Sequence, residues 1–120
     1  MKILGMGNAL VDVLALIDND SLLEQLSLPK GSMQLIDEKK LNEINKSIAG
    51  LDKFLASGGS ASNTIIGIAR LGIETGFLGK IGRDEYGKYF KEDLVKNGVT
   101  PHLAEIDLTS GIATTFISKD

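Results

Sequence analysis

Apolar and polar positions follow two rhythms along this chain. Short apolar runs at Lys2–Met6, Leu10–Ile17, Lys53–Ala56 and Thr75–Ile81 have the length of buried strands. Leu41, Ile44 and Ile48 instead recur at helical spacing and predict an amphipathic helix over 37–49. Asp37 is its expected N-cap, Ile36 and Leu41 form a hydrophobic staple, and Gly50 stops it. A shorter helix is expected at Leu22–Leu26, after Asn19-Asp20-Ser21. The segment from about Ala61 to Leu71 is apolar nearly all round and predicts a buried helix ended by Gly72. Asp84 caps a further helix with Tyr86, Tyr89, Phe90 and Leu94 as its stripe and Asn97-Gly98 as its end. His102–Leu108 and Ile112–Ser118 read as two strands around Thr109-Ser110-Gly111, and Met33–Ile36 as one more short strand.

This order predicts an α/β sheet with helices on its faces, plus a small sheet outside the β–α rhythm. Residues 14–17, 33–36 and the last two strands are its candidates. With 120 residues, one small domain is expected.

Charge and cysteine content narrow the chemistry. Lys plus Arg number 13 and Asp plus Glu 16, a net charge of −3, without the clustered positive charge of a nucleic-acid surface. There is no Cys and a single His, His102, so thiolate chemistry and a Cys- or His-built metal site are excluded. Cysteine-free composition suits a reducing, cytoplasmic compartment. Met1–Gly5 lacks the build of a secretory leader, and no apolar stretch approaches the ~20 residues of a membrane helix.

The densest chemistry lies at Ser57-Gly58-Gly59-Ser60-Ala61-Ser62-Asn63. Paired glycines let backbone approach a ligand closely, and the following helix start presents free N–H groups and the positive end of its dipole. Asn63 adds an amide in the first turn. The stretch reads either as a pocket wall for a polyhydroxylated or anionic small molecule or as a flexible loop. Asp12, alone within Leu-Val-Asp-Val-Leu-Ala-Leu-Ile, likewise has two readings. It either accepts hydrogen bonds from main-chain N–H groups, or it binds ligand hydroxyls with Asn8, which even spacing puts on the same face of an extended chain.

Gly5-Met6-Gly7-Asn8-Ala9-Leu10 does not make a dinucleotide fingerprint, because Leu10 stands where Gly or Ala is required and a strand follows instead of a helix. A Rossmann-type oxidoreductase is therefore disfavoured. In Gly79-Lys80-Ile81-Gly82-Arg83-Asp84-Glu85-Tyr86-Gly87 the cap role of Asp84 needs no ligand.

Taken in order, these segments resemble the ribokinase-like, or PfkB, family of carbohydrate and nucleoside kinases. Gly58-Gly59-Ser60-Ala61-Ser62-Asn63 is similar to its N-terminal signature, and Gly82-Arg83-Asp84-Glu85-Tyr86-Gly87 to its Gly-x-Asp-x-x-Gly turn. Asn97-Gly98-Val99 and Ser110-Gly111-Ile112-Ala113-Thr114-Thr115 follow in the family's order. Gly5-Met6-Gly7-Asn8, Asp12 and Gly31-Ser32-Met33-Gln34-Leu35 are similar to the adenosine-kinase branch.

The resemblance implies a partial Rossmann-like core with a small β-sheet lid, and transfer of the ATP γ-phosphoryl group to a primary alcohol. It implies that Asn8 and Asp12 hold sugar hydroxyls, that Gly58, Gly59, Ser60 and Asn63 line the same pocket, and that Met33, Leu35 and Thr115 (or Thr114) approach the substrate from the lid. ATP and Mg²⁺ belong to the full-length enzyme, and neither is expected on this chain. The family's Gly-Ala-Gly-Asp segment occurs nowhere in the sequence, so the catalytic Asp that the resemblance implies is expected beyond Asp120. No catalytic residue and no metal ligand is therefore assigned within the chain. It reads as the substrate-side, N-terminal portion of a kinase, inactive alone. The competing reading is a non-catalytic ligand-binding or assembly module. Open strand edges are expected to drive homo-association, by edge pairing or segment exchange. Gly59→Val is expected to block the pocket while sparing the rest of the fold.

Overall fold

The computed structural model describes residues 1–119. Asp120 lies outside the described residues. The elements are β1 (Lys2–Met6), β2 (Leu10–Ile17), α1 (Ser21–Gln25), α2 (Glu38–Ser47), β3 (Lys53–Gly58), α3 (Ser60–Arg70), β4 (Glu74–Gly82), α4 (Glu85–Lys96), β5 (Val99–Ile106) and β6 (Gly111–Ser118). They form two three-stranded sheets, ordered β1-β4-β5 and β3-β2-β6. The chain divides into two compact units, Met1–Val13 with Leu55–Ala113, and Leu14–Phe54 with the residues from Thr114 on.

The first unit is built on the β1-β4-β5 sheet, parallel throughout, with Ile3 opposite Thr75 and Phe77 opposite Pro101. Helix α3 packs on β1 and β4, and α4 on β4 and β5. Phe77 from the central strand meets Phe90 from α4 edge to face, with ring centroids 5.7 Å apart. Val11, Ile65, Ile66, Ile81, Leu94 and Val99 complete this core.

Glycines set how closely α3 sits. A Cβ on Gly5 would lie 2.3 Å from Ile65 Cγ1, and one on Gly7 would lie 2.7 Å from Ala61 Cβ. The spaced glycines of residues 5–10 thus make room for a packed helix. That is their work in place of the dinucleotide role the sequence argued against.

The expectation of a helix buried all round is not met. Only Ser62, Ile65 and Ile66 of α3 are buried, while Asn63, Thr64, Gly67 and Arg70 are exposed. The helix has a sheet on one side only. The opposite sheet face is also uncovered: Leu4 is 63% exposed, Met6 75% and Leu78 41%, and Leu4 lies with His102 beside Gly76. Parallel sheets are ordinarily covered on both faces, so this apolar surface is unusual.

In the second unit Leu23, Leu26, Ile44 and Ile48 are buried from the α1 and α2 regions, and Ala15 and Ile17 from β2. Asp37 caps α2 as expected, accepting from the Lys40 amide at 2.8 Å. Lys40 Nζ in turn donates to the Leu26 carbonyl at 2.6 Å, tying α2 to the end of α1. No helix among the described residues is long and apolar enough to cross a membrane.

Three strand expectations change. Residues 33–36 have no regular structure, and Met33 and Leu35 are fully exposed. The apolar alternation there finds no strand to pair with, so periodicity alone does not make a strand. Residues 103–106 belong to β5, which joins the parallel sheet instead of the small one. The cause is α4: a helical crossover after β4 returns the chain parallel to it, and Val99 then enters the core. Residues 14–17 are the second half of one continuous strand, β2, and β3 takes the place expected for 33–36 in the second sheet.

Candidate functional site

The Asp12 carboxylate lies against Gly58. A Cβ built on Gly58 would stand 2.8 Å from both Asp12 oxygens and 2.9 Å from Cγ. The acid and the glycine pair therefore meet at one spot of the first unit. Alternation in β2 explains the direction: Val11 and Val13 turn into buried positions, while Leu10 and Asp12 fall on the less buried face. Asp12 is half-buried, and among the described residues no hydrogen-bond donor engages its carboxylate. The main-chain N–H reading of Asp12 is thus not what the geometry shows.

Gly59 closes the turn. Its φ is +91°, and a Cβ on it would lie 2.7 Å from the Asn8 carbonyl oxygen. Both facts demand glycine. The expectation that Gly59→Val spares the fold is therefore revised, since the obstacle is backbone that cannot move aside. The Asn8 main chain runs against Gly59, and the Asn8 side chain is exposed.

Hydroxyl residues do not cap α3. Among the described residues no side chain does so, and Gly59 itself is the N-cap. The amides of Ser60, Ala61 and Ser62 thus have no intrahelical acceptor. Ser62, completely buried, donates instead to the Gly58 and Gly59 carbonyls, the latter at 3.0 Å, and so fixes the glycine turn from behind. Ser60 and Asn63 are exposed in the first turn. Met33, Leu35 and Thr115 belong to the second unit, where all three are exposed and Thr115 lies on β6. The neighbouring Thr114 is half-buried with its hydroxyl unpaired.

A second polar cluster lies at the Gly82–Gly87 turn. Asp84 accepts from the Gly87 amide at 2.8 Å as the cap of α4. It also accepts from the Ser110 amide and the Ser110 hydroxyl, each at 2.7 Å, and that hydroxyl accepts from the Gly82 amide at 2.9 Å. Burial opposes the Asp84 charge, yet the bonds from the Ser110 amide, the Gly87 amide, the Ser110 hydroxyl and the Tyr86 amide together hold its pKa below the ordinary carboxylate value.

A group with a lowered folded pKa contributes stability above its unfolded pKa, and that contribution is lost as pH falls through the folded value. Denaturant midpoints are therefore expected to decline below about pH 4, and less steeply in Asp84→Asn. Equal declines in both proteins would contradict this account of Asp84.

The sequence reading missed Ser62 and Ser110. A serine in a glycine-rich turn resembles a solvated loop residue until its acceptor is known, and the acceptor of Ser110 is 26 residues away.

A family model described as pfkB family carbohydrate kinase matches residues 38–120. The chain belongs to this family. Adenosine kinase 2 of Arabidopsis thaliana is 30% identical over 107 residues, 86% of this chain and 30% of that protein. The 5-dehydro-2-deoxygluconokinase 1 of Bacillus cereus is 40% identical over 65 residues, 52% of this chain and 20% of its own length. Among solved structures, adenosine kinase from Sinorhizobium meliloti is 32% identical with a TM-score of 0.76, covering 99% of this chain and 36% of that one. The chain thus spans about a third of the length of these adenosine kinases.

The pfkB family implies ATP and Mg²⁺. Among the described residues no group of three His, Cys, Asp or Glu side chains could hold a metal. In the second glycine-rich turn the Gly82 and Gly87 amides are already bonded to Ser110 and Asp84, so they offer no phosphate cradle.

Proposed function

We propose that this pfkB-family chain supplies the acceptor-substrate pocket of a sugar or nucleoside kinase. The supporting observation is the Asp12 carboxylate, without a hydrogen-bond donor among the described residues and held against the Cα of Gly58. A carboxylate accepts hydrogen bonds from two vicinal hydroxyls, and a glycine leaves room for a ring to approach it. Asn8, Gly59, Ser60 and Asn63 lie along the same turn or beside it and add amide and hydroxyl groups. The named relatives include two adenosine kinases and a 5-dehydro-2-deoxygluconokinase, so the class is a polyol bearing a primary alcohol. The proposal rests on first-unit residues alone; Met33, Leu35 and Thr115 add nothing to it.

The whole kinase would transfer a phosphoryl group from ATP to that alcohol, with a catalytic Asp supplied from beyond Asp120. Such transfer depends on positioning and on charge stabilisation at the γ-phosphoryl group, and the site residues of this chain serve only the acceptor. The 120-residue chain is therefore expected to bind a polyol without phosphorylating it. Calorimetric titration with adenosine, ribose and fructose, beside a phosphoryl-transfer assay with MgATP, tests this. Heat of binding with no transfer is the expected result. Absence of binding by all three would overturn the pocket, and transfer would overturn the division of labour.

The uncovered sheet face and the open edges of β1 and β5 also support self-association. Sedimentation velocity is expected to show dimers or larger species whose fraction rises with concentration and falls in Leu4→Lys/Met6→Lys. A monomer throughout the micromolar range would contradict it.

A further inference from the structure

We propose that Ser110 and Asp84 are positioning residues for the Asn8–Asp12 segment, acting on the pocket without touching its occupant. The inference rests on the pocket assignment for its functional meaning and on first-unit geometry for its mechanism. Ser110 is buried and spends its polar groups on one knot. Its amide and hydroxyl donate to the two Asp84 oxygens, and the hydroxyl receives the Gly82 amide. Backbone is pressed together around it. A Cβ on Gly82 would lie 2.2 Å from the Leu108 carbonyl oxygen, and one on Gly87 would lie 2.2 Å from that of Gly82 and 2.9 Å from Ser110 Oγ. Main chain therefore packs closely around the knot at Gly82 and Gly87.

The next residue passes that rigidity on. Gly111 opens β6 beside the start of β2: a Cβ there would lie 2.6 Å from Leu10 Cδ2 and 3.1 Å from the Ala9 carbonyl oxygen. Ala9 and Leu10 stand between Asn8, whose carbonyl abuts Gly59, and Asp12, whose carboxylate abuts Gly58. The cap of α4 is thus linked in series, through Ser110, Gly111 and the Asn8–Asp12 segment, to both glycines of the turn. Loss of the Ser110 hydroxyl strands the Gly82 amide and removes one of the two donors on Asp84 Oδ1, which keeps the Gly87 amide, and the support behind Ala9 and Leu10 loosens.

The experiment compares wild type, Ser110→Ala, Ser110→Thr and Asp84→Asn at a temperature where circular dichroism shows each folded. Without ligand, amide exchange is read by NMR. Ser110→Ala is expected to speed exchange at Gly82 and, by about tenfold, at Ala9–Asp12, and Ser110→Thr to restore both by returning the hydroxyl. Asp84→Asn, which keeps shape and loses charge, gives an intermediate result and serves if Ser110→Ala fails to fold. Faster exchange at Gly82 with Ala9–Asp12 unchanged overturns the inference. With adenosine and ribose as probes, Ser110→Ala is expected to weaken binding about tenfold and Ser110→Thr to recover it. Wild type binding neither probe refutes the pocket, while the ligand-free exchange still decides the positioning role. Wild-type and Ser110→Ala affinities that are equal overturn the inference and leave the pocket standing.

Discussion

Gly59→Ala is expected to unfold at a temperature lower by on the order of 10 °C, with the largest stability loss of any single methyl addition in the glycine turn. Two costs add. At φ +91° a side chain sits in the left-handed region, a cost of about 1–2 kcal/mol. The new Cβ would also stand 2.7 Å from the Asn8 carbonyl oxygen, a main-chain atom whose displacement moves the β1–β2 connection. Together these approach about 3 kcal/mol, a large part of the marginal stability of a small domain. Thermal denaturation of the purified variant checks it. A midpoint within a degree or two of wild type would mean that the turn relaxes freely and that Gly59 is there for another reason.

Gly58→Ala should separate binding from folding. Here the obstructing atoms are the Asp12 carboxylate, 2.8 Å from the new Cβ, so the acid must swing away. Adenosine or ribose affinity is expected to fall by at least about a hundredfold, since a charge-assisted hydrogen bond contributes about 1.5–3 kcal/mol and two are lost. Asp12→Ala removes the same two bonds and should likewise weaken binding by at least about a hundredfold, while leaving stability unchanged or slightly raised, because its carboxylate has no donor to give up among the described residues. A double-mutant cycle tests the contact directly. With Asp12 already alanine, Gly58→Ala should cost little stability, and the coupling between the two positions should exceed about 0.5 kcal/mol. Additive stability losses would show that Asp12 and Gly58 do not meet.

The two glycines also show how far a sequence can be read. That Gly58 and Gly59 need small or absent side chains was legible from their neighbours. That one protects a carboxylate and the other a backbone conformation was not. The difference lies in φ and in which chain segment passes nearby, and neither is local information.

Local chemistry determined much of the rest. Asp37 and Asp84 cap their helices because a carboxylate three residues before a free amide suffices, and no distant partner is needed. The β–α–β order over 74–106 required a parallel pair, since a helical crossover permits little else. The lone acid of an apolar run could be singled out by desolvation cost alone. Tertiary structure decided what depends on a second segment. Residues 33–36 alternate like a strand, yet a strand exists only when a neighbour supplies its hydrogen bonds. Helix α3, apolar nearly all round, is buried only on the side that meets the β1-β4-β5 sheet. Ser110 gained its place in the Asp84 knot only when β6 began beside α4, because a hydroxyl's role is set by the acceptor that folding brings to it.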